Sequence, residues 1–393
     1  MVGENRSILF LLRLWPFFGG GETVTICLAN EFVKKGYNVH VLYFKYTDSK
    51  KGLLIDERVR THCIDGVRCD ETFTDESVCG EVLDYLIQYV NRNEIDIVIN
   101  QWWPASYISG LKKQTKACVI KCNHTAFLRP SFEGRGIKNV LKRVFKPIYH
   151  RRIVKLALKE VNEFRTITDK YVFLSKGFVD QYLKYNHNNN KDWVTFIPNP
   201  IVFDNRFEAE ELDKKEHLVL FVGRLVDNLK RLSIALRGWS EVEKRKELDE
   251  WKFVVVGDGP DRRMLEAMSN DLGLKRVSFE GFQKPERYYR RAMILVQTSR
   301  YEGFGMTILE AQQCGCVPIA MNTFLTVHDL IESGSNGIIV ENKQSSFDRG
   351  LINLMKKVQY RKKMAIQAIK TAQSFSIHSI ACRWEKLFKD ILE

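Results

Sequence analysis

The sequence contains no apolar run long enough to cross a bilayer. Its longest runs, such as residues 7–12 and 253–256, are far shorter than the roughly 20 residues that a membrane-spanning helix needs. The apolar stretch near the N-terminus follows a Glu, contains an Arg and precedes no small-residue cleavage site. This stretch therefore predicts a buried first strand, and we expect the protein to be cytoplasmic.

Paired cysteine motifs are also missing. The nine cysteines include no CxxC spacing, so we expect reduced thiols and no metal site. Cys118 and Cys122 lie in an apolar run, which favours packing over a redox or metal role. The chain also has no helix-turn-helix, zinc or RNA-recognition signature, which disfavours a basic nucleic-acid-binding protein as an alternative function.

The positive charge is concentrated in one part of the chain. Residues 101–160 contain 14 Lys or Arg and two Glu, a surplus of 12 within a net charge of +13. Residues 135–159 contain nine Lys or Arg and no acid. The apolar residues between these cations are Ile137, Val140, Leu141, Val144, Phe145, Ile148, Ile153, Val154 and Leu156.

This pattern predicts a basic amphipathic helix, kinked at Pro147, in peripheral contact with an anionic membrane at its cytoplasmic face. The alternative is a helix that packs on its own sheet and exposes a solvated basic face.

The pattern of apolar runs predicts an α/β fold with two domains. Length alone suits two cores, and short apolar runs alternate with amphipathic helical patterns, as in parallel sheets. Predicted strands span residues 8–13, 38–44, 95–100, 118–122, 170–174 and 194–197, then 218–222, 253–256, 277–279, 294–297, 317–320 and 337–340. The segment FIPNPI at 196–201 marks a boundary, because proline interrupts a strand ladder. We therefore predict domains at 1–200 and 201–374 and a terminal helix at 375–393.

The strongest chemical signal is SRYEGFGMTILEAQQCGCVPIA, residues 299–320. Gly303 and Gly305 allow close backbone approach, and a helix predicted to begin at residue 306 or 307 adds unpaired N–H groups and a positive dipole. These features make the turn suitable for binding phosphate oxygens. Glu302 and Glu310 flank the turn and can contact different parts of one ligand. As an alternative, they are ordinary acids near a helix N-terminus.

Cations follow another predicted strand of the same half. In FVGRLVDNLKR, residues 221–231, Gly223 and Arg224 end the strand, and Lys230 begins a predicted helix. Ligands bind beyond the carboxyl ends of strands in open α/β sheets, where these cations can neutralise a diphosphate. VVVGDGP at 254–260 is a weaker signal that also fits a tight turn. In VSFEGF, a base can lie against the backbone at Gly281 and Phe282.

Together these residues resemble the retaining glycosyltransferase family 4, also called glycosyl transferases group 1, in its bacterial polysaccharide- and glycolipid-building type. The resemblance covers most of residues 7–393. It is most specific for GR with Lys230, VVGDGP, FEGF, and EGFGMTILEA followed by GCVPIA. It implies the GT-B fold, with two Rossmann-like doubly wound domains, a cleft between them, and a C-terminal helix that crosses back to the N-terminal domain. The apolar stripe of that helix is Ile380, Trp384, Leu387 and Ile391.

The resemblance also implies roles for individual residues. Arg224 and Lys230 contact the donor diphosphate, Glu310 accepts hydrogen bonds from the ribose, and Glu302 contacts the transferred sugar. His124 in KCNHTAF matches the family's cleft histidine, although a purely structural role stays equally open. The predicted catalytic residues are therefore His124, Arg224, Lys230 and Glu302. The predicted donor-binding residues are Gly20, Gly21, Arg224, Lys230, Gly281, Phe282, Glu302, Gly303, Phe304, Gly305, Met306, Thr307 and Glu310.

The implied reaction is transfer of a hexose or N-acetylhexosamine, with retention, from a nucleoside diphosphate sugar to a saccharide or lipid-linked acceptor. We expect a UDP-sugar donor. No cofactor and no metal are expected, because Arg224, Lys230 and the helix dipole can meet the charge and no DxD pair lies nearby. A sugar-nucleotide epimerase on the same architecture is the alternative enzyme. The chain departs from the family at Arg231, where a glycine is usual, and in its WPFF run.

Overall fold

The computed structural model describes residues 6–16, 20–46, 54–64, 79–128, 146–186, 191–203 and 207–393. These residues form two compact units. The first unit contains the described residues up to 202 together with 377–393, and the second contains those from 203 to 376.

A seven-stranded parallel sheet forms the centre of the first unit. Its strands are β1 (Ser7–Leu11), β3 (Asn38–Tyr43), β5 (Arg60–Cys63), β6 (Ile97–Asn100), β7 (Cys118–Cys122), β8 (Lys170–Phe173) and β9 (Val194–Phe196). Their spatial order is β5-β3-β1-β6-β7-β8-β9, so the chain order reverses between β1 and β6. The two-residue strands β2 (Leu14–Trp15) and β4 (Lys45–Tyr46) pair separately.

Helices connect these parallel strands, as crossover connections require. They are α1 (Gly20–Lys34), α2 (Cys79–Arg92), α3 (Ala105–Ile108), α4 (Leu111–Gln114), α5 (Lys146–Asn162) and α6 (Lys176–Tyr185). β1 is buried along its whole length, which explains why its sequence SILFL is apolar almost throughout rather than alternating.

The second unit repeats the same plan with a six-stranded parallel sheet. Its strands are β10 (Glu216–Val222), β11 (Lys252–Val256), β12 (Val277–Phe279), β13 (Ala292–Gln297), β14 (Val317–Met321) and β15 (Ile338–Val340). The order β12-β11-β10-β13-β14-β15 reverses between β10 and β13. Its helices are α7 (Asp227–Lys230), α8 (Leu232–Glu243), α9 (Arg262–Asp271), α10 (Glu286–Arg291), α11 (Met306–Gln313), α12 (Val327–Leu330), α13 (Gln344–Lys356) and α14 (Val358–Gln373), with 3-10 turns at Ala209–Lys214 and Lys246–Leu248.

The last helix, α15 (Ile377–Leu392), belongs to the first unit, as the fold prediction required. Ile380, Trp384 and Leu387 are buried in the core of that unit. The ring of Phe388, which is fully buried, packs 5.5 Å from the ring of Phe32 on α1. The apolar stripe of the terminal helix is therefore covered by the N-terminal half of the chain.

α5 covers only the second part of the predicted basic helix. Pro147 is the second described residue of α5, so the kink predicted there involves residues outside the described ranges. Val154, which was predicted on the membrane side, is buried together with Ala157 and Val161. Residues 135–145 of the predicted basic helix lie outside the described residues. No helix in the described ranges is both long and apolar enough to cross a membrane.

Candidate functional site

The sheet of the second unit reverses its strand order between β10 and β13. In open α/β sheets this reversal leaves a crevice at the carboxyl ends of the strands, where ligands bind. Arg224 follows β10, and the segment with Glu302 follows β13. The predicted donor motifs therefore lie at the switch point of their own sheet.

Lys230 and Glu302 form an ion pair at this edge, although 72 residues separate them in the sequence. The Lys230 ammonium lies 2.5 Å from Glu302 Oε1, and the two side chains are 24% and 12% exposed. The sequence predicted that Lys230 begins a helix. In the structure, Lys230 is instead the last residue of the short helix α7. Arg224 is exposed, and its guanidinium makes no hydrogen bond or ion pair within the described ranges, so it can bind an anion.

The loop before α11 has the form predicted for a phosphate cradle. α11 begins at Met306, and Gly305 before it has a φ of +102°, which a residue with a side chain rarely adopts. The Phe304 side chain is buried, and its carbonyl accepts a hydrogen bond from the Thr326 hydroxyl at 2.8 Å. Only main-chain atoms of Phe304 are therefore left to contact a ligand.

Glu310 lies one turn into α11 beside a tyrosine that the sequence did not indicate. The buried Tyr289 hydroxyl donates to Glu310 Oε2 at 2.8 Å. Burial raises the pKa of Glu310 to about 7, with a further contribution from the charge of Glu286, while the bond from Tyr289 opposes the shift. Glu310 thus titrates near neutral pH.

The glycines of VVVGDGP have a packing role. A Cβ on Gly257 would lie 1.9 Å from the Gly223 carbonyl oxygen, and one on Gly259 would lie 2.4 Å from that of Leu225. The two loops therefore touch through their backbones, which supports the tight-turn interpretation. Gly281, with a φ of +69°, accepts a hydrogen bond from the Gly257 N–H, and Phe282 is 54% exposed.

Arg231, which replaces the usual glycine, occupies a left-handed backbone conformation with a φ of +51°. Such a φ favours glycine, which explains the family pattern. Here the guanidinium donates to the Thr298 carbonyl at 2.6 Å and to the Ser299 carbonyl at 3.2 Å. The arginine therefore ties α7 to the end of β13, close to Glu302.

The first unit places Gly21, Trp102 and His124 together at its own switch point, between β1 and β6. Gly20 and Gly21 are the first two residues of α1. A Cβ on Gly21 would lie 2.8 Å from the Trp102 ring and 3.2 Å from the His124 ring, whereas a Cβ on Gly20 would meet nothing within 4 Å. Gly21 is the glycine that this arrangement requires.

His124 is held by Gln101, a second residue that the sequence did not indicate. His124 Nε2 is hydrogen-bonded to Gln101 Oε1, which can only accept, so Nε2 carries the proton. Nδ1 is then an acceptor, and it has no partner among the described residues. Burial and the nearby Lys121 ammonium lower the pKa of His124 to about 3. His124 is therefore a neutral acceptor rather than an acid.

Two family models match adjacent parts of the chain. The family described as Glycosyltransferase Family 4 matches residues 18–205, and the one described as Glycosyl transferases group 1 matches residues 202–371. Between them, the two matches cover residues 18–371, which include every strand of the seven-stranded and six-stranded sheets except β1.

The chain is also similar to curated bacterial enzymes. An undecaprenol-linked alpha-1,4-N-acetyl-D-galactosaminyltransferase of Campylobacter jejuni is 28% identical over 50% of this chain and 55% of its own length. A lipopolysaccharide 1,6-galactosyltransferase of Salmonella typhimurium is 27% identical over 46% of this chain and 50% of its own length. The chain thus spans about half the length of these two relatives.

Solved structures share the fold over nearly the whole chain. The Anabaena protein HepE, solved in complex with UDP and glucose, has a TM-score of 0.73 at 17% identity and covers 98% of this chain and 100% of its own. The lipopolysaccharide outer core galactosyltransferase WaaB has a TM-score of 0.70 at 18% identity and covers 98% of this chain and 99% of its own. These likenesses show the GT-B fold. With both halves matched and the fold shared, the chain belongs to glycosyltransferase family 4.

Proposed function

We propose that this protein is a retaining glycosyltransferase that moves a hexose or N-acetylhexosamine from a UDP-sugar to a saccharide or lipid-linked acceptor in glycan biosynthesis. The observation that carries this proposal is the Lys230–Glu302 pair at the switch point of the second sheet, beside the N-terminus of α11. A cation, a carboxylate and unpaired helix N–H groups there suit a diphosphate that is joined to a sugar.

The proposed roles follow from the chemistry of each group. Arg224, Lys230 and the N-terminus of α11 would bind the diphosphate and stabilise the negative charge that develops on it as the sugar leaves. The carboxylates of Glu302 and Glu310 would accept hydrogen bonds from sugar and ribose hydroxyls, respectively. These side chains supply the charge that the reaction needs without a cofactor.

Two further contacts complete the proposed donor site. The nucleoside base would lie at Gly281 and the exposed Phe282, where the backbone turns sharply after β12. In the first unit, the family resemblance assigns Gly20, Gly21 and His124 to the transferred sugar, and we include that assignment in the proposal.

The names of the similar proteins support the donor, the acceptor class and retention. HepE is solved with UDP and glucose, and the Campylobacter jejuni relative is named for an undecaprenol-linked substrate. Three relatives are named for alpha-linked transfer, which corresponds to retention if the donor is an α-anomer.

A ligand screen tests the donor assignment. We expect UDP and at least one UDP-sugar to raise the melting temperature, because a ligand that binds only the native state stabilises it by mass action. GDP-mannose serves as the comparison, and a shift with GDP-mannose alone would assign a guanine donor instead. Formation of an epimer from the UDP-sugar without any acceptor would favour the epimerase. If no nucleotide produces a shift, the proposed donor site is wrong.

We also propose that α5 contacts an anionic membrane. Its outward surface, called here the α5 surface, combines exposed apolar and basic residues on one helical face. Ile148 and Leu156 are 65% and 58% exposed. The cations Arg152, Lys155 and Lys159 are also exposed, at helical spacing from Ile148. An anionic bilayer matches both the charge and the apolar side chains of this surface.

Co-sedimentation with liposomes that contain anionic lipid tests the α5 surface. We expect binding at low salt, and replacing Arg152, Lys155 and Lys159 by Gln should weaken it at least tenfold, because each cation contributes about 1 kcal/mol near an anionic leaflet. The matched control replaces three exposed lysines of the second unit, which are Lys246, Lys357 and Lys363. Equal losses in both variants would mean that net charge, and not the α5 surface, causes binding.

A further inference from the structure

Gln297, the last residue of β13, is a buried amide in an otherwise apolar strand. The strand reads AMILVQ, and Gln297 is 3% exposed. An apolar side chain would fill this position as well, and burying an amide costs free energy unless it is hydrogen-bonded. The partners of Gln297 should therefore explain why an amide is present.

Within the described residues, all the side-chain hydrogen bonds of Gln297 are made with the segment that follows β13. Its Nε2 donates to Ser299 Oγ at 2.9 Å and to Glu302 Oε1 at 2.7 Å. Its Oε1 accepts a hydrogen bond from Thr307 Oγ1 at 3.1 Å. A carboxylate only accepts, so the amide nitrogen must face Glu302, and the orientation of the amide is fixed. One side chain thus joins residues on both sides of the Gly303–Gly305 turn.

These bonds leave one oxygen of Glu302 for a ligand. Oε1 receives both the Gln297 amide and the Lys230 ammonium, at 2.7 Å and 2.5 Å. Within the described part of the chain, no hydrogen bond is made to the second oxygen, Oε2. A carboxylate that is held at one oxygen can present the other in a defined direction.

We propose that Gln297 is a positioning residue for sugar transfer, which it controls by holding the Glu302 carboxylate and the turn up to Thr307. This inference rests on the proposed function and deepens it. Gln297 touches neither Arg224 nor Glu310, so it affects the transferred sugar more than the nucleotide.

The test compares Gln297→Leu with the wild type for kcat, KM and UDP affinity. We expect kcat to fall about 10- to 100-fold, as for the loss of a hydrogen bond to a charged group. UDP affinity should fall by a smaller factor than kcat, because Arg224 and Glu310, the proposed contacts of the phosphate and the ribose, make no hydrogen bond to Gln297. Gln312→Leu is the matched control, since Gln312 is a buried glutamine of the same unit that bonds to the carbonyls of Leu330 and Asn336.

A double-mutant cycle separates positioning from a general loss of stability. If Gln297 acts through Glu302, Gln297→Leu should cause little further loss of kcat in a Glu302→Ala background. If the fold losses of kcat in the two single variants instead multiply in the double variant, the inference is wrong. Equal losses of kcat in Gln297→Leu and Gln312→Leu would also overturn it.

Gln297→Glu provides a readout in case the leucine variant does not fold. This variant places a second carboxylate beside Glu302, and two close carboxylates share one proton. At saturating donor, the ratio of its kcat to the wild-type kcat should rise as the pH falls. A ratio that does not change with pH would contradict the inference. A wild type that binds no nucleotide would overturn the proposed function as well, whereas an active wild type with an unaffected Gln297→Leu would overturn only this inference.

Discussion

Replacement of Lys230 by alanine is expected to lower turnover by about 10² or more, by analogy with the loss of one preorganised donor to a charged transition state. The substitution removes a cation from the proposed diphosphate site. It also leaves Glu302 Oε1 without the ammonium that lies 2.5 Å away. Steady-state kinetics with a UDP-sugar and an acceptor would measure the loss as a fall in kcat.

The control for Lys230 is another paired lysine of the same unit. Lys362 lies 2.7 Å from Asp213 and is partly exposed. Because an exposed ion pair contributes little, Lys362→Ala should keep near-normal turnover. If Lys230→Ala also keeps near-normal turnover while the donor still binds, the diphosphate site must lie elsewhere.

The arrangement of strands could be predicted from the sequence because buried parallel strands are apolar almost throughout. All twelve predicted strands are found, with ends within two residues of those observed. The missed strand β5 lies at the edge of its sheet, and its residues RTHC are mostly exposed. An edge strand that is not buried has no apolar run to reveal it. The short pair β2 and β4 gives too little pattern to recognise.

The predicted site residues lie in short sequence motifs, and those motifs reveal them. The residues that support the site do not belong to any such motif. Lys230 and Glu302 were each identified by their position after a strand, and the parallel sheet brings them together. Gln101, Tyr289 and Gln297 are single polar residues within apolar or basic stretches. The neighbouring sequence does not indicate their hydrogen-bond partners, because only the fold brings those partners close. Such residues become visible only once the hydrogen bonds of the buried groups are known.

Donor affinity is expected to fall as the pH drops below about 7, because Glu310 must be ionised to accept hydrogen bonds from ribose hydroxyls. Burial holds the pKa of Glu310 at about 7 before the ligand binds. Below this pH, binding must release a proton, so each further pH unit lowers affinity by about tenfold. Between pH 7.5 and 5.5 the expected loss is about 25-fold.

A UDP-sugar is the appropriate ligand for this measurement, because the terminal phosphate of UDP titrates at a pKa of about 6. Calorimetry in buffers of different ionisation enthalpy would count the released proton. Glu310→Gln cannot titrate, so its affinity should be lower than that of the wild type at pH 8 and nearly independent of pH.

Tyr289→Phe tests whether the pKa of Glu310 sets the pH dependence of donor affinity. The Tyr289 hydroxyl donates to the Glu310 carboxylate at 2.8 Å and therefore favours its ionised form. Without this hydroxyl the pKa of Glu310 should rise further, and the midpoint of the affinity loss should move to higher pH. A midpoint that stays in place, or moves to lower pH, would mean that Glu310 is not the group whose ionisation limits donor binding.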